Sequence, residues 1–119
     1  MAVDLQEIKD SVASYLGGGG SFFDDAFLRA CKRVTADINR DCFQTLDLPQ
    51  TVTYSVPVDE ARYYKVYDDG VMYYMQLSGE WVRERNIPEA LQRYRRSMAL
   101  AQYEQIQENE PESGYPARS

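Results

Sequence analysis

Apolar residues along the first forty positions recur at three- and four-residue steps. Leu5, Ile8, Val12 and then Tyr15 or Leu16 mark one face of a helix over 4–16, the spacing that a 3.6-residue turn demands. Asp4 followed by Glu7 is a start signal of the capping-box kind. Phe23, Phe27, Ala30, Cys31, Val34 and Ile38 predict a second helix over 22–42. Ser21 is its natural N-cap, and Asp24 and Asp25 fall in its first turn, where the helix dipole favours negative charge. The last stripe is Leu91, Tyr94, Met98 and Ala101, widened by Leu100 and Tyr103. It predicts a helix over 87–107, about 30 Å long. Asn86 caps this helix, Pro88 suits its first turn and Glu89 completes the cap.

Between the first two helices stands Gly17–Gly20. One helix carried through four glycines would lose roughly 4 kcal/mol relative to alanine, so the pattern predicts helix, loop, helix. A phosphate cradle needs Gly-Lys followed by Ser or Thr. Here "SFFDD" follows instead, and its two carboxylates would repel a phosphate. "GGGGS" is also a common engineered linker, but the start and stop signals on both flanks favour a native hinge.

The middle of the chain has a different texture. "FQTLDLPQ" (43–50) is a connector, and "TVTYSVPV" (51–58) alternates imperfectly and carries Pro57, as an edge strand does. "RYYKVY" (62–67) and "VMYYMQL" (71–77) flank Asp69-Gly70, a turn signal for a two-stranded hairpin. "SGEWVRERN" (78–86) reads as an irregular link pinned by Trp81. The polar stretch 108–119, with two prolines, reads as an extended tail in which Tyr115-Pro116 is a weak anchoring motif. The fold class that emerges is α+β, mainly α. Three main helices bundle with a small antiparallel hairpin or sheet. One domain, 1–107, carries the β insertion at about 51–77, and the C-terminal tail follows at 108–119.

Composition narrows the function. A chain of 119 residues, 44% apolar, suits one compact domain. The net charge of −6 argues against general nucleic-acid binding. No apolar run reaches the roughly 18 residues of a membrane span, and the N-terminus lacks the layout of a signal peptide, so the expected compartment is cytoplasmic. Histidine is absent, which removes Ser–His and Cys–His catalysis. Cys31 and Cys42 stand too far apart on one helix for a disulfide and read as reduced thiols. Asp24-Asp25 at a helix start, Asp68-Asp69 in a turn and Asp59-Glu60 in a connector have local structural reasons to exist, so none is read as an acid–base pair. Neither a metal ligand set nor a cofactor motif is present.

Two features point to contact with other chains. Charge is segregated. Arg83, Arg85, Arg93, Arg95 and Arg96 crowd 83–96, whereas 104–112 and the first 25 residues are acidic. A solvated helix face accounts for this, and so does a head-to-tail oligomer in which a basic helix meets a neighbour's acidic edge. The second feature is aromatic. Thirteen per cent of residues are aromatic, and ten are tyrosines. Alternation in the expected hairpin sends half of Tyr63, Tyr64, Tyr67, Tyr73 and Tyr74 outward, where contiguous aromatics mark a contact surface. Tyr64, Tyr67, Tyr73, Tyr103, Arg93, Arg95 and Arg96 are therefore the candidate subunit or partner contacts.

Three stretches resemble the head–tail connector (adaptor) proteins of tailed bacteriophages. "DLQEIKDSVASYL" resembles their first helix, and "DDAFLRACKRVTADINRDC" their acidic-start second helix. "IPEALQRYRRSMALAQYEQIQE" resembles the final helix, with Pro88, Leu91, Tyr103 and Glu104 at the family's positions. The resemblance covers about half the chain. It implies a non-enzymatic virion protein that assembles in the host cytoplasm as a ring, commonly of twelve subunits. The ring sits between the portal protein and a stopper or tail protein, and DNA passes through its lumen without specific binding. It also implies that 108–119 docks on the portal, with Pro111, Tyr115, Pro116 and Arg118 as candidate contacts. The alternative is a small cytoplasmic interaction or regulatory module.

Overall fold

The structure, a computed structural model, describes residues 2–17, 20–78 and 86–109. Strand β1 (Val3–Asp4) leads directly into helix α1 (Leu5–Leu16), and helix α2 (Gly20–Asp41) follows. Strand β2 (Ser55–Val56) precedes helices α3 (Glu60–Ser78) and α4 (Ile87–Asn109). The fold is mainly helical with a small two-stranded antiparallel sheet, in which Val3 faces Val56 and Asp4 faces Ser55. Val3 and Val56 are both fully buried, so this short pair closes one end of the core.

The helices at either end of the chain follow the hydrophobic pattern closely. Asp4 caps α1 by accepting from the backbone N–H of Gln6 at 2.9 Å. Gly17 ends α1 in the left-handed region (φ 75°), donating to the carbonyl of Ala13. A glycine there removes the Cβ penalty of that conformation. Leu5, Ile8, Val12 and Leu16 are buried, and Tyr15 is left outside. All six stripe residues of α2 are buried. This helix starts two residues earlier than expected, at Gly20, so Ser21 lies inside it and Asp24 and Asp25 lie past its first turn. Asp24 instead holds Lys9 at 3.2 Å, tying α2 to α1. Asn86 caps α4 as expected, accepting from the N–H of Glu89 at 3.1 Å. That helix reaches Asn109, so Glu108 belongs to it rather than to a tail. Leu100 and Tyr103 do not widen the buried stripe, because both point to solvent.

The expected hairpin does not form. Residues 60–78 are one helix, and Asp68 and Asp69 lie within it rather than in a turn. The 51–58 strand shrinks to Ser55–Val56, whose partner is β1. The cause is tertiary. Helix α3 packs against α1, α2 and α4 and is the hub of the molecule. Tyr63, Val66, Tyr67, Gly70, Val71 and Met75 are buried at helical spacing. Asp59 caps this helix by accepting from the N–H of Ala61 at 3.1 Å. Gly70 sits at the crossing with α2 and α4. A Cβ there would stand 2.6 Å from Val34 Cγ2 and 2.7 Å from Tyr94 Cε1.

The connector after α2 is held back against it by Asn39. Its side chain donates to the carbonyl of Leu46 and accepts from the N–H of Leu46, at 2.9 and 2.8 Å. Phe43, just past the helix end, adopts φ 57° and is exposed. A left-handed residue with a Cβ is strained by about 1 kcal/mol or more. Phe43→Gly is therefore expected to leave stability unchanged or raise it by up to about 1 kcal/mol in urea unfolding, although an aromatic side chain is deleted. Residues 79–85, with the proposed pin Trp81, and the tail contacts Pro111, Tyr115, Pro116 and Arg118 lie outside the described residues.

Candidate interaction site

A groove of about 470 Å³ runs between α2 and α4, with α3 as its floor. Its centre is Asp37. Both Tyr74 and Tyr94 donate their hydroxyls to the same oxygen, Asp37 Oδ2, at 2.5 and 2.6 Å. Arg40 lies 3.6 Å from Oδ1 and makes a two-pronged bond to Asp41. Tyr73 stacks on Tyr94 with ring centroids 6.1 Å apart and leans on Tyr74 at 5.0 Å. The guanidinium of Arg33 sits 4.8 Å above the Tyr74 ring, a cation–π contact. A neighbouring cleft of about 360 Å³ shares Arg33 and Tyr74 with the groove and adds Arg29 and Lys32. Arg95 stands on the α4 wall. Among the described residues, Arg29, Lys32, Arg33, Arg95 and Arg96 have no carboxylate within ion-pair distance.

Burial first, and then the hydrogen bond to Asp37, pushes the Tyr74 hydroxyl up to about 12 and raises Tyr94 as well. Removing a proton would place a phenolate against a carboxylate. Tyr63, Tyr64 and Tyr67 are raised too, each mainly by burial. A folded-state pKa above the unfolded value means that this stability is complete below the unfolded value, about 10, and is lost as pH rises from there through the raised folded values. The expected result is cooperative loss of helical circular dichroism starting near pH 10, with tyrosinate absorbance rising in the same step. A smooth tyrosinate titration with helicity intact would contradict this packing.

The opposite side of α3 is acidic. Tyr64 and Tyr73 are nine residues apart, about two and a half turns, and so point in opposite directions. Around the half-buried Tyr64 lie Glu7 of α1 and Glu60 and Asp68 of α3. After burial, these three carboxylates are what raise the Tyr64 hydroxyl. Asp68 is itself raised, by burial and by Asp69, against the opposing pull of Lys65 and Ser11. Glu7 and Asp10 are exposed on α1, and Tyr15 further along it is 72% exposed.

The residues proposed as contacts from sequence separate on this frame. Tyr73 and Arg95 line the groove, and Tyr64 marks the acidic edge. Arg96 and Tyr103 are exposed on the outer side of α4, where Tyr103 accepts from Gln107 at 2.9 Å. Arg93 pairs with Glu89 at 3.6 Å and lines a smaller cavity shared by α1, α3 and α4. Tyr67 is no contact residue. It is fully buried and bonds Thr35 Oγ1 at 2.7 Å, and that hydroxyl in turn donates to the carbonyl of Cys31. Nor do Glu104 and Glu108 form a free acidic patch. Arg62 holds both, at 3.3 and 3.0 Å, and ties the end of α4 to the start of α3. Sequence reasoning missed Asp37 and the α2 cations Arg29, Lys32, Arg33 and Arg40. Their spacing on the polar side of the α2 stripe was the available signal.

Among the described residues, no group of three or more His, Cys, Asp or Glu side chains is placed to hold a metal ion, and no helix is long and apolar enough to cross a membrane. Comparison with protein-family models, with curated proteins and with solved structures finds no match to this chain.

Proposed function

We propose that this chain is a structural subunit of a phage head–tail adaptor, working by assembly rather than catalysis. It would form a ring that joins a portal protein to a stopper or tail protein and lets DNA through its lumen. The observation that carries this reading is the division of unpaired charge: a cationic, tyrosine-floored groove on one side of α3 and carboxylates around Tyr64 on the other. Two different, complementary surfaces on one body favour head-to-tail association, which forms a ring where the rotation between neighbours closes. The stretches that carry the sequence resemblance fall on three continuous helices, α1, α2 and α4, which also supports the reading. Exposed Leu100, Tyr103 and Ile106 on α4 leave apolar surface for a larger assembly.

The test is reconstitution with the portal ring encoded by the same genome, read by native mass spectrometry and negative-stain electron microscopy. The full chain should add a coaxial ring to the portal. A chain ending at Asn109, which lacks all but the first two residues of the proposed docking arm 108–119, should keep the helicity of α1–α4 and lose portal binding. Equal binding by the shortened chain would refute that role for the arm, and no binding by the full chain would overturn the adaptor reading.

A further inference from the structure

We infer that the α2–α4 groove is the receiving half of a self-association site, and that its occupant is the α1–α3 acidic edge of a second copy of this chain. The inference rests on the ring reading above and assigns the surfaces that would build it. Charge complementarity selects the occupant. The groove and the cleft beside it offer Arg29, Arg33 and Arg95, and the edge, where Ser11 of α1 donates to Asp68 of α3 at 3.5 Å, offers Glu7, Asp10 and Asp68, with no ion pair inside the chain for any of these six among the described residues. Each half also has an aromatic or apolar anchor. Leu77, 43% exposed, lies with Tyr73 in the groove, and Tyr15 stands at the end of the edge. Because the two halves lie on opposite sides of α3, a twofold contact would centre on one half alone and set arginines against arginines or carboxylates against carboxylates. The two halves lie on opposite sides of α3, so each added copy exposes a fresh groove or a fresh edge, and the contact propagates until it closes. The Asp37–Tyr74–Tyr94 bonds hold the groove floor in place before any copy arrives, which lowers the ordering cost of association.

Charge reversal tests this directly. Arg29 and Arg95 are exposed and unpaired among the described residues, and Glu7 and Asp10 are exposed on α1, so all four can change without disturbing the core. R29E/R95E turns two of the receiving side's cations into carboxylates, and E7K/D10K turns two of the edge's carboxylates into cations. Sedimentation velocity and native mass spectrometry follow the wild type, each double variant, their equimolar mixture and the quadruple variant. Circular dichroism melting confirms folding, and R29Q/R95Q replaces any groove variant that melts early. Each double variant should weaken self-association about 100-fold or more. The equimolar mixture and the quadruple variant should both restore it. The inference is overturned if a folded double variant associates like the wild type, or if neither the mixture nor the quadruple variant recovers. If the wild type rings on the portal while the reversals have no effect, this site is wrong and the adaptor reading stands. If the reversals compensate but no ring binds the portal, the site stands and the adaptor reading falls. A wild type that stays monomeric both alone and with the portal sinks both.

Discussion

Replacing Gly70 by alanine is expected to destabilise the protein by about 2 kcal/mol, although alanine is the better helix former by about 1 kcal/mol. The sign is the informative part. In an exposed helix the same change would stabilise. Here the new methyl would sit 2.6 Å from Val34 Cγ2 and 2.7 Å from Tyr94 Cε1. Neither neighbour yields cheaply. Val34 is fully buried and β-branched, and the Tyr94 ring is fixed by its bond to Asp37 and by its stack on Tyr73. The helices must move apart, and α3 is the element that every other helix touches. Gly70→Leu should cost more, about 4 kcal/mol or beyond, and should disturb the groove floor itself. Urea unfolding of both variants, followed by circular dichroism, gives the two numbers. A Gly70→Ala protein more stable than the parent would mean that the three helices do not cross this closely.

The second large effect is expected at Asp37. Truncation to alanine strips the acceptor from two tyrosine hydroxyls at once. Tyr94 is the more deeply buried of the two, and Tyr74 is half-buried at the groove. Hydrogen bonds to a charged group contribute about 1.5–3 kcal/mol each, so a loss of about 3 kcal/mol is expected for Asp37→Ala. Asp37→Asn keeps the shape and an acceptor oxygen and should lose about half of that. It also carries a spectroscopic signature. With the carboxylate gone, one cause of the raised Tyr74 and Tyr94 values disappears, so the 295 nm titration should move to lower pH. A cavity alone would leave that titration where it was.

These two residues also show where the sequence was legible. Helices α1 and α2 each bury one clear stripe, α4 buries Tyr94, Met98 and Ala101 of its expected stripe but Ala90 in place of Leu91, and the caps at Asp4 and Asn86 are read directly from residue type. Helix α3 was hidden by its own position. A helix packed on three neighbours buries a broad face, and the half-buried Tyr64, Met72, Tyr73 and Tyr74 beside it blur the usual one-sided period. Tyr63, Val66, Tyr67 and Val71 then resemble strand residues by type, and Asp69-Gly70 imitates a turn. The glycine is there for close approach, and the Asp59 cap was the clue to a helix start. The groove depended on α3 being a helix. As a hairpin, Tyr73 and Tyr74 belong to no particular neighbour. As a helix, they meet Arg33 of α2 and Tyr94 of α4. The acidic half was partly visible in Glu7 and Asp10, but Glu104 and Glu108 were misassigned, because nothing in their spacing announces Arg62 as their partner.

Cys31 and Cys42 are both reduced and fully enclosed, the first at mid-bundle and the second where α2 ends. Burial raises the Cys31 thiol far above its ordinary value, and Cys42 is raised as well. Neither sulfur can meet an alkylating reagent until the chain around it opens. The molecule therefore carries two native clocks: the rate at which each thiol is captured times the opening of the bundle's middle and of its end, with no foreign label introduced.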